Sequence, residues 1–131
     1  MLHNGIIRNL EIMKNKVSSF KDPDGKKGYH FHCEGCNSTH LVYVEGKGVP
    51  IWTFNGDKKT PTFSPSVLVK WVSLPDNIER DQNSDYVEQA DGRIKGAKDE
   101  VCHSFVRDGK IQYLNDCTHH LKGKTVDLLE F

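Results

Sequence analysis

The sequence predicts a mainly β fold, a small set of antiparallel strands and hairpins around a zinc-ribbon-like C-x-x-C knuckle, and three observations predict it. Apolar runs are short and are interrupted at close intervals by Gly, Pro, Asn and Asp. The strongest run, residues 67–72, is rich in β-branched and aromatic side chains (Val-Leu-Val-Lys-Trp-Val). Two strand-like segments flank Arg107-Asp108-Gly109-Lys110, and Asp-Gly is a preferred two-residue hairpin turn.

Taken in order, residues 6–13 read as a first strand, and the Pro- and Gly-punctuated stretch 21–28 as a turn. Tyr29-His30-Phe31-His32-Cys33 enters the C-x-x-C as a strand enters a metal knuckle. Residues 41–44 and 51–54 follow as strands separated by a Gly-Lys-Gly turn, and Asn55-Gly56-Asp57 reads as a hairpin turn. Residues 75–100 carry Asp, Asn, Glu, Gln and Lys with only Ile78, Tyr86, Val87 and Ile94 as anchors. They read as a long polar loop or arm with room for a short helix at 85–90. The Asp-Gly hairpin pairs Val106 with Ile111, Phe105 with Gln112, Ser104 with Tyr113 and His103 with Leu114. Side chains alternate faces along a strand, so Cys102, Ser104, Val106, Ile111 and Tyr113 share one face and His103, Phe105 and Leu114 the other. Residues 124–131 read as a closing strand.

The length, 131 residues, suits one domain spanning 1–131 with the 75–100 arm inserted in it. Eighteen Lys and Arg balance eighteen Asp and Glu, a zero net charge that argues against a nucleic-acid partner held through its phosphates. Trp52, Phe54 and Trp71 accordingly read as core side chains rather than base-stacking platforms. No apolar run approaches the ~20 residues of a membrane span, and the N-terminal residues lack the pattern of a secretory signal. The expectation is a cytoplasmic protein with no membrane association. Its four cysteines then serve as metal ligands or reactive groups rather than disulfides.

Cys33 and Cys36 supply two thiolates, half of a tetrahedral zinc site. Gly35 between them gives the knuckle conformational freedom. Cys102 and Cys117 fall close together in the hairpin register and complete the simplest set, with His40 as a substitute for Cys117. His30, His32, His103, His119 and His120 are further candidates. Four protein ligands make the ion structural, whereas three leave a position for a reactive water. The bland alternative is buried hydrophobic thiols beside an unmetallated C-x-x-C.

A second group of residues has the chemistry of a nucleophilic hydrolase. Ser64 and Ser66 precede the strongest strand, His103 opens the hairpin, and Asp116 and His119 follow its exit. A serine needs a base, His103 or His119, to take its proton, and the base needs a partner such as Asp116 to hold its tautomer. A strand that turns Cys102 toward a metal turns His103 the other way, so the two serve different sites. Against this stands turn capping by Ser64 and Ser66 beside Pro65, a core role for His103, and a solvated turn at His119-His120.

The motifs Cys33-Glu34-Gly35-Cys36 with His40, Trp52-Thr53-Phe54-Asn55-Gly56-Asp57, Pro61-Thr62-Phe63-Ser64-Pro65-Ser66, Cys102-His103-Ser104-Phe105-Val106-Arg107-Asp108-Gly109 and Asp116-Cys117-Thr118-His119 occur in that order. As a set, over residues 29–72 and 101–128, they resemble a family of small phage and bacterial proteins. Some members of that family are similar to the peptidase of bacterial ubiquitin-like conjugation (Bub) operons. The resemblance implies a zinc-stabilised β domain acting as a serine-type peptidase on a ubiquitin-like protein or its conjugates. By motif, Cys33, Cys36 and Cys102 match the metal positions, and Ser66 or Ser64, His103, Asp116 and His119 the polar positions of a hydrolase. Family members with Ser in place of Cys117 favour His40 or another fourth ligand. After His119 this chain has His120-Leu121-Lys122-Gly123-Lys124 where the family pattern is Ala-Leu-Ala-Gly-Gln, and its 75–100 arm is longer. The alternative function is a non-catalytic zinc-binding phage adaptor for a protein partner.

Overall fold

A computed structural model describes residues 14–75 and 94–131. The strand expected at 6–13 and the short helix at 85–90 lie outside these residues. The described chain is all strand and turn, and none of it is a helix long and apolar enough to cross a membrane. The first sheet is β1 (Val17–Lys21), β2 (Lys27–Cys33) and β3 (Ser38–Glu45), in that order and antiparallel. The second is β4 (Thr53–Phe54), β5 (Phe63–Ser73), β6 (Lys98–Arg107), β7 (Lys110–Tyr113) and β8 (Thr125–Asp127), again in chain order and antiparallel.

Alternation decides which face each sheet buries. Phe31 and Val42 from the first sheet meet Phe63, Val67, Cys102, Val106, Ile111 and Tyr113 from the second, all buried. The rings of Phe31 and Phe63 stack at 6.2 Å between centroids, and Phe54 lies on Phe63 at 5.1 Å. Trp52, Phe54 and Trp71 are half-buried against this core, as expected of packing residues.

The Asp108-Gly109 turn has both residues at positive φ (51° and 76°), the backbone of a type I′ hairpin. The register that follows pairs Ser104 with Tyr113, Phe105 with Gln112 and Val106 with Ile111, as the turn length dictates. Three elements differ from the sequence reading. The strand expected at 51–54 shrinks to Thr53–Phe54, because Trp52 N–H donates to the Tyr43 carbonyl of the other sheet. The closing strand is only Thr125–Asp127. β6 begins at Lys98, inside the polar segment, since Lys98, Asp99 and Glu100 pair with Ser73, Val72 and Trp71.

One irregularity matters for the site. Phe63 pairs with Val106 and Val67 with Ser104, so Ser64, Pro65 and Ser66 stand against Phe105 alone. This bulge, with a cis Ser64–Pro65 peptide, breaks the ladder one residue before β5 becomes regular. Bulges commonly re-aim a side chain in this way.

Candidate functional site

β6 carries chemistry on both faces. Cys102 points inward and is buried, and His103 points outward with a quarter of its side chain exposed. Beyond Tyr113 the chain continues beside β6 without regular pairing. Leu114 N–H donates to the His103 carbonyl at 2.9 Å, and Thr118 N–H to the Val101 carbonyl at 2.9 Å. Cys117 occupies the gap between them. Its sulfur accepts from His103 N–H at 3.2 Å and donates to the His103 carbonyl at 3.2 Å, standing in for a strand partner. Thr118 Oγ1 accepts from Val101 N–H at 3.0 Å and donates a short bond to Glu100, whose carboxyl it holds below the usual range.

This segment brings Asp116 to the outer face. Its Oδ2 lies 2.9 Å from His103 Nδ1, and His103 Nε2 lies 3.0 Å from Ser66 Oγ. Both distances are within hydrogen-bond reach, in the order hydroxyl, imidazole, carboxylate. The bulge sets Ser66 here. Ser64, two residues earlier, is exposed, and its carbonyl accepts from Thr53 Oγ1. Of the two candidate serines, only Ser66 meets a histidine.

On the inner face, Cys33, Cys36, Cys102 and His119 gather with one donor atom from each within 4.8 Å of the others. Cys33 and Cys102 sulfurs are 3.8 Å apart. Two thiolates bound tetrahedrally to zinc at about 2.3 Å sit about 3.8 Å apart, so this spacing suits one shared ion. The Tyr113 hydroxyl donates to the Cys33 sulfur at 3.2 Å and accepts from Gly35 N–H at 3.0 Å. Bonds from Cys102, Tyr113 and Cys36 N–H, together with the neighbouring His40 ring, hold Cys33 down to about 3. The Cys102 thiol is pushed up by its bond to Cys33 and by burial, and Cys36 to about 12 by burial and the Cys33 charge. Crowding and burial thus oppose ionising all three sulfurs together, and a cation held among them would favour it.

His119 is the fourth member of this set. Burial keeps its pKa low, which favours the neutral ring a metal needs. Its Nε2 is buried and has no hydrogen-bond partner among the described residues. Leu121 N–H lies 3.2 Å from Nδ1, a bond that selects the tautomer with its proton on Nε2. Ligation through Nε2 requires the other tautomer and loosens that contact.

The structure therefore redistributes the expected residues. His119 stands with the thiols rather than beside a serine, and Cys117 and His40 lie outside the four-donor set. Cys117 is held at the level of His103, whose backbone groups lose a strand partner where the β7 ladder ends. His40 is buried edge-on to Phe31 and adjoins Cys33 from outside the set. The sequence signal for His119 was Gly35. A Cβ there would lie 2.3 Å from the His119 ring, so the glycine is demanded by the approach of that ring more than by backbone freedom. If this set holds a metal, Gly35→Ala is expected to lower its affinity about 10- to 100-fold, since the added Cβ would displace the His119 ring. Competition against a chelating dye would measure it.

Residues 5–114 match the family described as bacterial ubiquitination-like system serine protease (BubE). The match includes Ser66, His103, Cys33, Cys36 and Cys102 and stops short of Asp116 and His119. No curated protein and no solved structure shows a significant match. A match over that much of the chain, on a β domain with this site, places the protein in the BubE family of bacterial ubiquitination-like system serine proteases.

Proposed function

We propose that this chain is a serine peptidase that hydrolyses an amide or ester bond at the C-terminus of a ubiquitin-like protein. Ser66 is the nucleophile, His103 the base and Asp116 the group that orients it. The observation that carries this reading is the relay of hydrogen bonds, Ser66 Oγ to His103 Nε2 at 3.0 Å and His103 Nδ1 to Asp116 Oδ2 at 2.9 Å. Ser66 Oγ bonds to the scissile carbonyl carbon while His103 Nε2 takes the hydroxyl proton. The Asp116 carboxylate accepts from Nδ1–H and stabilises the imidazolium. His103 then returns the proton to the leaving amine or alcohol as its bond to the carbonyl carbon breaks. Water then bonds to the acyl carbon as the same imidazole takes its proton, and that proton passes to Ser66 Oγ as the Oγ–carbon bond breaks.

The inner-face donor set suits Zn²⁺. Three sulfurs and one imidazole are a familiar closed structural set, and four protein donors leave no position for a reactive water. Bound there, zinc supplies cross-linking between the C-x-x-C, β6 and the 114–119 segment. Cys33, Cys36, Cys102 and His119 hold it, and the chemistry stays with Ser66 on the other face.

The test is active-site labelling. A fluorophosphonate is expected to modify Ser66 and no other serine, read by mass spectrometry. Absence of label in folded, metal-replete protein overturns the peptidase and favours the adaptor. Asp116→Asn, which spoils the tautomer without changing shape, is expected to lower kcat about 10⁴-fold. A stopped-time cleavage assay on a ubiquitin-like protein with a C-terminal extension would check it.

A further inference from the structure

The direction of each backbone group on β5 follows from the bonds of β6. His103 and Val101 spend their N–H and C=O groups on the 114–118 segment: the two carbonyls accept from Leu114 and Thr118, and the two N–H groups donate to Cys117 Sγ and Thr118 Oγ1. Backbone groups alternate sides along an antiparallel strand. Ser104, Cys102, Glu100 and Lys98 must then face β5, where their register partners are Val67, Val69, Trp71 and Ser73. The intervening residues of β5, Ser66, Leu68, Lys70 and Val72, therefore direct their N–H and C=O groups away from β6. Ser66 bears this out, since its carbonyl accepts from Trp52 Nε1 at 3.2 Å on that side.

β4 covers this edge only at Phe63 and Ser64. Among the described residues, no strand pairs with it from Val67 to Ser73. The open length is seven residues, about 23 Å of strand. It ends at the bulge that carries Ser66, where β4 begins. Its side chains on the Ser66 face include Leu68 and Val72, 48% and 51% exposed, and Leu68 is the register partner of His103.

Resting on the peptidase reading, we propose that the extended C-terminal tail of the ubiquitin-like substrate adds to this edge as a sixth strand, antiparallel to β5. The tail's backbone bonds to Leu68, Lys70 and Val72, and its side chains on the Ser66 face pack against Leu68 and Val72. The occupant is a flexible tail because its C-terminal end must run to the bulge, where β4 blocks further pairing, and stop beside Ser66. An unpaired tail can lie along this edge up to the point where β4 occupies it, beside the nucleophile. The added strand also satisfies the outward amide groups of an edge that would otherwise invite self-association.

Lys70→Pro removes one outward N–H and leaves the β6 ladder intact, since proline is tolerated on edge strands. For a ubiquitin-like protein with a C-terminal extension, the expected result is a drop in kcat/KM of about tenfold or more, carried mainly by KM. An unchanged kcat/KM in folded K70P overturns strand addition while the peptidase reading stands. Failure of the wild-type protein to take a fluorophosphonate label on Ser66 overturns both. Should K70P not fold, synthetic tail peptides with single backbone N-methyl groups serve as competitors of the wild-type enzyme. An alternating pattern of weakened Ki along the peptide supports the proposal, and a uniform Ki overturns it.

Discussion

Ser66→Ala is expected to reduce kcat toward a ubiquitin-like substrate about 10⁴- to 10⁶-fold and to abolish fluorophosphonate labelling. The reasoning is geometric. Among the described residues, Ser66 Oγ is the only hydroxyl bonded to a histidine that is itself bonded to a carboxylate. Ser64, the other serine of the motif, points its carbonyl at Thr53 and lies exposed. Ser64→Ala should therefore leave the label in place. The loss in Ser66→Ala should come with little change in stability, about 1 kcal/mol at most, since a single half-exposed hydrogen bond is removed. A thermal melt run beside the assay separates the two. If Ser66→Ala cleaves at the wild-type rate, the nucleophile is elsewhere and the outer-face relay is a structural corner.

If the inner-face set holds zinc as proposed, stripping the metal is expected to be the second large effect. A structural zinc contributes on the order of 10 kcal/mol to folding, comparable with the whole stability of a domain this size. Without an ion, Cys102 and Cys36, both pushed up beside the Cys33 charge, favour their neutral thiol forms, so the sulfurs lose the cross-link and supply no equivalent bond. EDTA or a stronger chelator is expected to abolish cooperative melting and activity together, and one equivalent of zinc per chain to restore both. Cys102→Ser should behave as the stripped protein. Cys117→Ser should still bind one equivalent, because its sulfur serves the His103 backbone. Elemental analysis with calorimetry would read these outcomes. Activity lost on chelation with an undisturbed melt would point instead to a metal-borne nucleophile.

How much of this was legible in the residues varies with the kind of constraint. The hairpin register was legible because a two-residue Asp-Gly turn permits only one pairing, and the separation of Cys102 from His103 follows from strand alternation alone. The three thiols of the metal set were legible as a type. The gathering of His119 with them, rather than Cys117 or His40, was less so, His119 being only one of several candidate histidines. Cys117 is the stronger zinc ligand on paper, yet where the β7 ladder ends, its thiol is consumed by the backbone of His103, and the chain reaches the C-x-x-C two residues later at His119. The choice between Ser64 and Ser66 was also hidden, because it rests on a bulge, and three residues against one leaves no periodic trace in the sequence. Likewise the polar composition after Lys98 concealed a strand whose partners, Trp71 to Ser73, lie far back in the chain.

Cys102 and His103 are neighbours on β6, and Asp116 and His119 lie on one short segment three residues apart. A slip of β6 by a single position would send the sulfur out to solvent and the imidazole into the core. Such a misthreaded strand could neither capture the ion nor greet the hydroxyl. A cation held by Cys33, Cys36, Cys102 and His119 would therefore act as a proofreader of threading: a chain closed around it would, by that event, have aligned Ser66, His103 and Asp116.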